Sequence, residues 1–129
     1  MEIQQINEIN QINVQTLAFI GDAVYSLFFR EKILKLNVHL KTNLINKKCN
    51  QNVNASAQSL FALSVFEELT EEEKNIFLRA RNFKTKNSAK NSSIIEYHNA
   101  TAIEAVIGYL YLCRNYERIE FLLNQAPIL

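Results

Sequence analysis

Thr16 to Phe29 reads TLAFIGDAVYSLFF and Thr101 to Cys113 reads TAIEAVIGYLYLC. Both stretches are apolar and helix-forming, and each holds one of the chain's two glycines and a single acid. A glycine inside a helix costs about 1 kcal/mol relative to alanine. An ionised carboxylate in apolar surroundings costs several kcal/mol unless it is paired or holds a metal. One shared cause accounts for both costs: Gly21 and Gly108 let two helices approach closely, so that Asp22 and Glu104 meet at a divalent-cation site. The alternative is that each acid pairs separately with an Arg or Lys from another helix, and spacing alone leaves both readings open.

Working outward, the rest of the chain is poor in strand and hairpin material. It has one proline and few sustained alternating patterns, so the expected fold is all-α, in a single domain covering residues 1–129. With 129 residues and 48% hydrophobic content the chain can bury a core without disulfides or structural zinc. Cys49 and Cys113 are far apart, and no Cys/His pair has metal-ligand spacing, so reduced, intracellular thiols are expected. No apolar run reaches the roughly 18 residues of a membrane span, and the N-terminus lacks the basic and apolar regions of a signal peptide. The expected location is cytoplasmic, with no membrane partner.

Five or more helices are expected. Ile3, Ile6, Ile9 and Ile12 recur at every third residue in an Asn/Gln-rich leader, which reads as a short docking helix or a frayed arm. A long helix is predicted from about Val14 to Leu36, a loop over Asn37 to Thr42, a shorter helix near Asn43 to Cys49, and a turn over Asn50 to Asn54. Another helix is predicted over Ala55 to Leu69. Thr70 followed by Glu73 is a capping box that starts a helix ending near Asn82. Phe83 to Ser93 is polar, basic and aperiodic, and is read as an extended loop. Ile94 to Arg114 and Tyr116 to Gln125 form the last helix pair, with Asn115 as a C-terminal cap between them.

A helical wheel at 3.6 residues per turn places Leu17, Ile20, Val24, Leu27 and Phe28 on the core face of the first long helix. Asp22 falls opposite, with Gln15, Ala18, Tyr25, Ser26 and Phe29. In the later helix Ile103, Val106, Ile107 and Leu110 form the core stripe, and Glu104 shares a face with Tyr97, Thr101, Gly108 and Tyr111. Because the neighbours of both acids are still largely apolar or aromatic, these second faces are expected to line a cleft or a subunit contact. Leucine at Gly108 should overpack the contact, and alanine should be milder.

Two carboxylates without a partnering His or Cys suit a hard cation such as Mg²⁺, which takes oxygen ligands and keeps several waters. The formal net charge of +1 excludes a uniformly basic nucleic-acid binder, yet five basic residues and no acid lie between Arg79 and Lys90. A solvated charged loop is the plain reading of that segment. His98 could serve as a general base, but water activated by a metal needs no such help.

LAFIGDAVYSLFF resembles the signature helix of ribonuclease III domains, and specifically the LAYIGDAVYE form of the Mini-III ribonucleases. YHNATAIEAVIGYLYL resembles the second signature of that subgroup, and RARNFKTKNSAKN resembles its RGRNAK segment, with Ala80 in place of a glycine. Order, spacing and length match across nearly the whole chain, without a double-stranded-RNA-binding domain. The resemblance implies a ribonuclease III-like helical bundle that forms a homodimer. It implies an Mg²⁺-dependent endoribonuclease cutting double-stranded RNA, with large-subunit (23S) ribosomal RNA precursor as substrate, and leaves room for assistance by a ribosomal protein.

Asp22 matches the essential aspartate of the first signature and Glu104 the catalytic glutamate of the second, both as metal ligands. Arg79, Arg81, Asn82, Lys84, Lys86, Lys90 and Asn91 match the RNA-contacting segment, where donors to phosphates and 2′-hydroxyls matter more than base-specific groups. The larger family carries further acids where this chain has Gln15, Ala18 and Thr101. One largely hydrated Mg²⁺, or a second ion recruited by RNA phosphate, fits that smaller set. The rival functions are a catalytically silent domain of this type that binds structured RNA or a ribosomal particle, and a helical interaction protein without an RNA role.

Overall fold

The computed structural model describes residues 6–83 and 94–128. Among them the chain forms α1 (Ile6–Asn10), α2 (Val14–Leu36), α3 (Thr42–Val53), α4 (Ala55–Val65), a 3-10 turn (Phe66–Glu68), α5 (Glu71–Arg81), α6 (Ile94–Leu112) and α7 (Tyr116–Leu123), with no strand. The all-α expectation holds. No helix among the described residues is long and apolar enough to cross a membrane.

The centre of the molecule is α6. Ala102, Ile103, Ala105, Val106, Ile107, Gly108, Tyr109 and Leu110 are all buried, which leaves almost no polar face on its second half. A helix apolar on every side needs partners on every side, and α2, α4 and α5 pack around it. The closest of these contacts is with α2. A Cβ added at Gly21 would overlap the Glu104 carbonyl and lie 2.8 Å from the Gly108 nitrogen; one added at Gly108 would overlap the Leu17 carbonyl and lie 3.0 Å from the Gly21 nitrogen. The two helices therefore cross in opposite senses, backbone on backbone, at the two glycines. Even alanine at Gly108, the milder change expected beside leucine, would already bring its Cβ onto main-chain atoms.

That contact also sets how α2 is turned. Its buried residues are Val14, Leu17, Ala18, Gly21, Tyr25, Phe29 and Ile33, whereas Leu27 is 57% exposed and Ile20, Val24 and Phe28 are only half-buried. Of the core face read from the wheel, only Leu17 is fully buried; Val24 and Phe28 pack against the core from its margin, and Leu27 faces out. Apolar side chains surround this helix, so their count does not orient it. The glycine seam does, by bringing Ala18, Tyr25 and Phe29 inward. Tyr25 then packs on Phe29 and on Phe61 of α4, with ring centroids 4.9 and 6.1 Å apart. The stripe expected in α6 is buried as predicted.

Several ends differ from expectation. Helix α3 runs on through Asn50 to Val53, because Asn52 donates its amide to the Lys48 carbonyl inside the helix. The break falls on Asn54, whose side chain caps α4 by accepting from the Ala57 N–H. Asn115 is the N-cap of α7, accepting from the Arg118 N–H. The left-handed residue ending the turn after α6 is Arg114, with φ of 59°.

The capping box at the start of α5 forms as predicted and does more than cap. Glu73 accepts from the Thr70 N–H at 2.9 Å and also takes Arg118 Nε at 3.0 Å and Nη2 at 2.8 Å, tying α5 to α7. Burial works against ionising Glu73, but the hydrogen bonds from Arg118 and Thr70 and the guanidinium charge outweigh it and hold the carboxyl below its usual range. Of the Ile-rich leader, Ile9 is buried and Ile12 packs against the core; Ile3 lies outside the described residues.

Candidate active site

The glycine crossing positions the two acids. Asp22 follows Gly21 directly on α2, and Glu104 is the residue whose carbonyl rests against Gly21. Both side chains face one open cleft of about 300 Å³, lined also by Gln15, Ala18, Phe19, Ala80, Phe83, Tyr97, His98 and Thr101. Of the faces expected to line a cleft or subunit contact, Gln15, Ala18, Asp22, Tyr97, Thr101 and Glu104 border this cleft, whereas Tyr25, Phe29 and Gly108 are buried in the helix packing.

Within it the two carboxyls stand close enough for each to oppose the other's ionisation. Asp22 is exposed, while Glu104 is mostly enclosed. Burial first, and the adjacent Asp22 second, push the Glu104 carboxyl up to about 9, with the Gln58 amide acting in the opposite direction. Two carboxylates this close do not ionise together at neutral pH unless a cation stands between them. The same burial and the Glu104 charge raise the neighbouring Tyr25 phenol, which stays neutral.

Neither acid is in an ion pair among the described residues, whose two salt bridges join Lys74 to Glu67 and Arg118 to Glu73. Of the two readings left open by spacing, the structure brings the acids together. No group of three or more His, Cys, Asp or Glu side chains placed to hold a metal ion together occurs among the described residues. Two hard oxygen donors beside an open cleft suit a small, oxygen-preferring cation that keeps most of its water, as Mg²⁺ does.

The positions that lack the larger family's acids border the same cleft, as Gln15, Ala18 and Thr101. Thr101 brings a neutral hydroxyl to the cleft in place of an acid, and that hydroxyl donates to the Tyr97 carbonyl at 2.9 Å. Tyr97 and His98 form an edge-on ring pair at 5.7 Å on the cleft wall.

Arg79, Arg81 and Asn82 are exposed at the end of α5. Ala80 and Phe83 on that segment line the acid cleft, but Arg79 borders a separate groove with Asn10, Glu71, Glu72 and Asn75. Lys84, Lys86, Lys90 and Asn91, with most of the basic segment, lie outside the described residues. Sequence reasoning missed Gln58. It belongs to no acid or basic motif, and only the packing of α4 on α6 brings it to Glu104.

Residues 15–115 match the family model described as the Ribonuclease III domain. The chain is 47% identical over 113 residues to a Mini-ribonuclease 3 of Clostridium tetani, covering 88% of this chain and 75% of that one. It is 42% identical over 127 residues to a Mini-ribonuclease 3 of Staphylococcus aureus, covering 97% and 94%. Among solved structures, a crystal structure of a Fusobacterium nucleatum protein superposes with a TM-score of 0.81 at 35% identity, covering 89% of this chain and 93% of that one. With the Gly21–Gly108 crossing and the acid pair lying inside the matched span, this chain belongs to the ribonuclease III family, in its Mini-ribonuclease 3 group.

Proposed function

We propose that this ribonuclease III-family chain is an Mg²⁺-dependent endoribonuclease that cleaves double-stranded RNA at the Asp22–Glu104 pair. The observation that carries the reading is that pair: two carboxyls brought together at the helix crossing, one of them raised to about 9 by burial and by the other acid beside it. Asp22 and Glu104 would hold the ion, and Mg²⁺ bound there would supply Lewis acidity for activating water and offsetting charge on the scissile phosphate. Binding requires Glu104 to release its proton, which the Gln58 amide favours. Phe19, 75% exposed at the cleft, together with Tyr97 and His98, offers flat groups beside the acids. The basic segment with Lys84, Lys86, Lys90 and Asn91, and Arg79, Arg81 and Asn82 before it, would hold the RNA backbone.

Homodimerisation is part of the same reading. Leu60 and Leu63, three residues apart on α4, are 65% and 60% exposed, and Ile95 near the start of α6 is 72% exposed. Such side chains suit burial against a second copy. The substrate we infer is the large-subunit (23S) ribosomal RNA precursor in the cytoplasm, with a ribosomal protein as a helper. Relatives named Mini-ribonuclease 3 support an enzyme over a silent RNA-binding domain, as does the presence of both acids.

Incubating long duplex RNA with the protein, with and without Mg²⁺, tests the activity. Asp22→Asn should fold as wild type does and lose on the order of a hundredfold or more in cleavage rate. Activity within about tenfold of wild type would remove Asp22 from the mechanism.

A further inference from the structure

Gln58 lies in the first turn of α4 and is 3% exposed. Its Nε2 is the one buried side-chain nitrogen or oxygen among the described residues without a hydrogen-bond partner. A buried amide left in that state costs stability, and native folds contain few. This one is not adrift. Asn54 caps the helix that carries it, accepting from the Ala57 N–H at 2.8 Å, and the next residue, Ser59, accepts from Asn99 of α6 at 3.1 Å in a buried bond. Phe61, one turn further on, packs against Tyr25. The backbone of α4 is thereby pinned to both helices that carry the acids, and the amide is held beside the Glu104 carboxyl.

We propose that Gln58 is a positioning residue for the acid pair: its pinned amide donates to the Glu104 carboxylate and fixes the orientation in which Glu104 and Asp22 share a cation. Gln58 is enclosed and does not line the cleft, whereas Asp22 does, so the donor and the second acid would act on Glu104 without competing for the same open space. Groups that orient a ligand in this way commonly alter metal affinity by ten- to a hundredfold when removed. The inference rests on the metal-pair reading above.

The test uses the full chain with Gln58→Met, close in length and without a donor, and Gln58→Leu as a second apolar variant. Mn²⁺ binding is followed by water-proton relaxation, alongside thermal melting and duplex-RNA affinity without divalent ions. Melting should be unchanged or raised, since an orphan amide has been removed, and metal-free RNA affinity should not move. Mn²⁺ binding should weaken about tenfold or more, and the Mg²⁺ concentration for half-maximal cleavage should rise by the same factor, with the rate recovering at saturating Mg²⁺. A shift of about threefold or less in Mn²⁺ affinity overturns the proposal. So does loss of folding in both variants without metal, which would make the amide a structural donor. Asp22→Asn separates the two readings. If it still binds Mn²⁺ as wild type does, the metal pair itself is wrong; if it loses binding while both Gln58 variants keep theirs, only the role of Gln58 falls.

Discussion

Glu104→Gln in the metal-free protein should make the fold more stable while abolishing its chemistry, and the gain should grow with pH. Glutamine keeps the shape of the protonated acid and can still donate to Asp22, so the substitution removes little besides the ability to ionise. In the unfolded chain Glu104 loses its proton near the ordinary value of 4.5, whereas in the fold it keeps it up to about 9. Over that window the folded state binds more protons than the unfolded state, so stability falls as pH rises. The contribution is complete below about 4.5 and is lost by about 9.

The steepest slope one such group produces is about 1.36 kcal/mol per pH unit. Between about pH 5.5 and 8 that amounts to roughly 3 kcal/mol as a ceiling, and about half is a reasonable expectation given partial solvent access at the cleft. Urea denaturation in EDTA at several pH values, for wild type and variant together, isolates the effect, because all other titrations are common to both. The variant should be nearly equal to wild type at the acid end and more stable by about 1.5 to 3 kcal/mol at the alkaline end. A constant difference across the range would refute the reasoning, since Glu104 would then not be held protonated by the fold. Mg²⁺ should stabilise wild type more at alkaline than at acid pH, where protons compete for the same oxygen, and should do nothing for the variant.

Gly21→Ala should destabilise by about 3 kcal/mol or more in denaturant melts, because the new methyl overlaps main-chain atoms of Glu104 and no side chain can move aside; a loss under about 1 kcal/mol would refute the close crossing. Arg118→Leu leaves the Glu73 carboxylate buried with only its cap bonds, and should cost about 2 to 3 kcal/mol near neutral pH, less than a fully enclosed pair because Arg118 is partly exposed. That cost should shrink as pH falls and Glu73 takes up its proton, since its lowered carboxyl stabilises the fold only above the usual carboxylate range. Replacing Lys84, Lys86 and Lys90 together by alanine should weaken binding to all duplex RNA sequences alike and reduce the log-affinity against log-salt slope by roughly 2 units, with melting nearly unchanged. An unchanged slope would place the phosphate contacts elsewhere on the surface.

The parts of this molecule legible in the sequence are those where one residue type admits few explanations. Two glycines inside apolar helices announced a close crossing, and Thr70 with Glu73 announced a helix start. The orientation of α2 was not legible, because with Leu27, Phe28 and Phe29 in succession the helix is apolar on every side and no wheel can choose among its faces. The glycine seam that does choose was in view, and weighing it above the apolar stripe would have brought Tyr25 and Ala18 inward. Runs of asparagine hid the end of α3, since asparagine serves turns, caps and helix interiors alike. At Asn52 the fold uses the last of these. Gln58 was invisible for another reason: its role comes from α4 meeting α6 at a sequence separation no local pattern reports.

The crossing of α2 over α6 also bears on how the acid pair tolerates change elsewhere. Side-chain contacts transmit the size of each residue to their neighbours, so a site hung on them shifts whenever the core is repacked. Here the spacing of Asp22 and Glu104 is set by main chain resting on main chain at Gly21 and Gly108. Backbone dimensions are the same in every sequence. The two carboxyls are thus gauged by a ruler that mutation of the surrounding core does not recalibrate, and the interior can drift while the distance between them stays fixed.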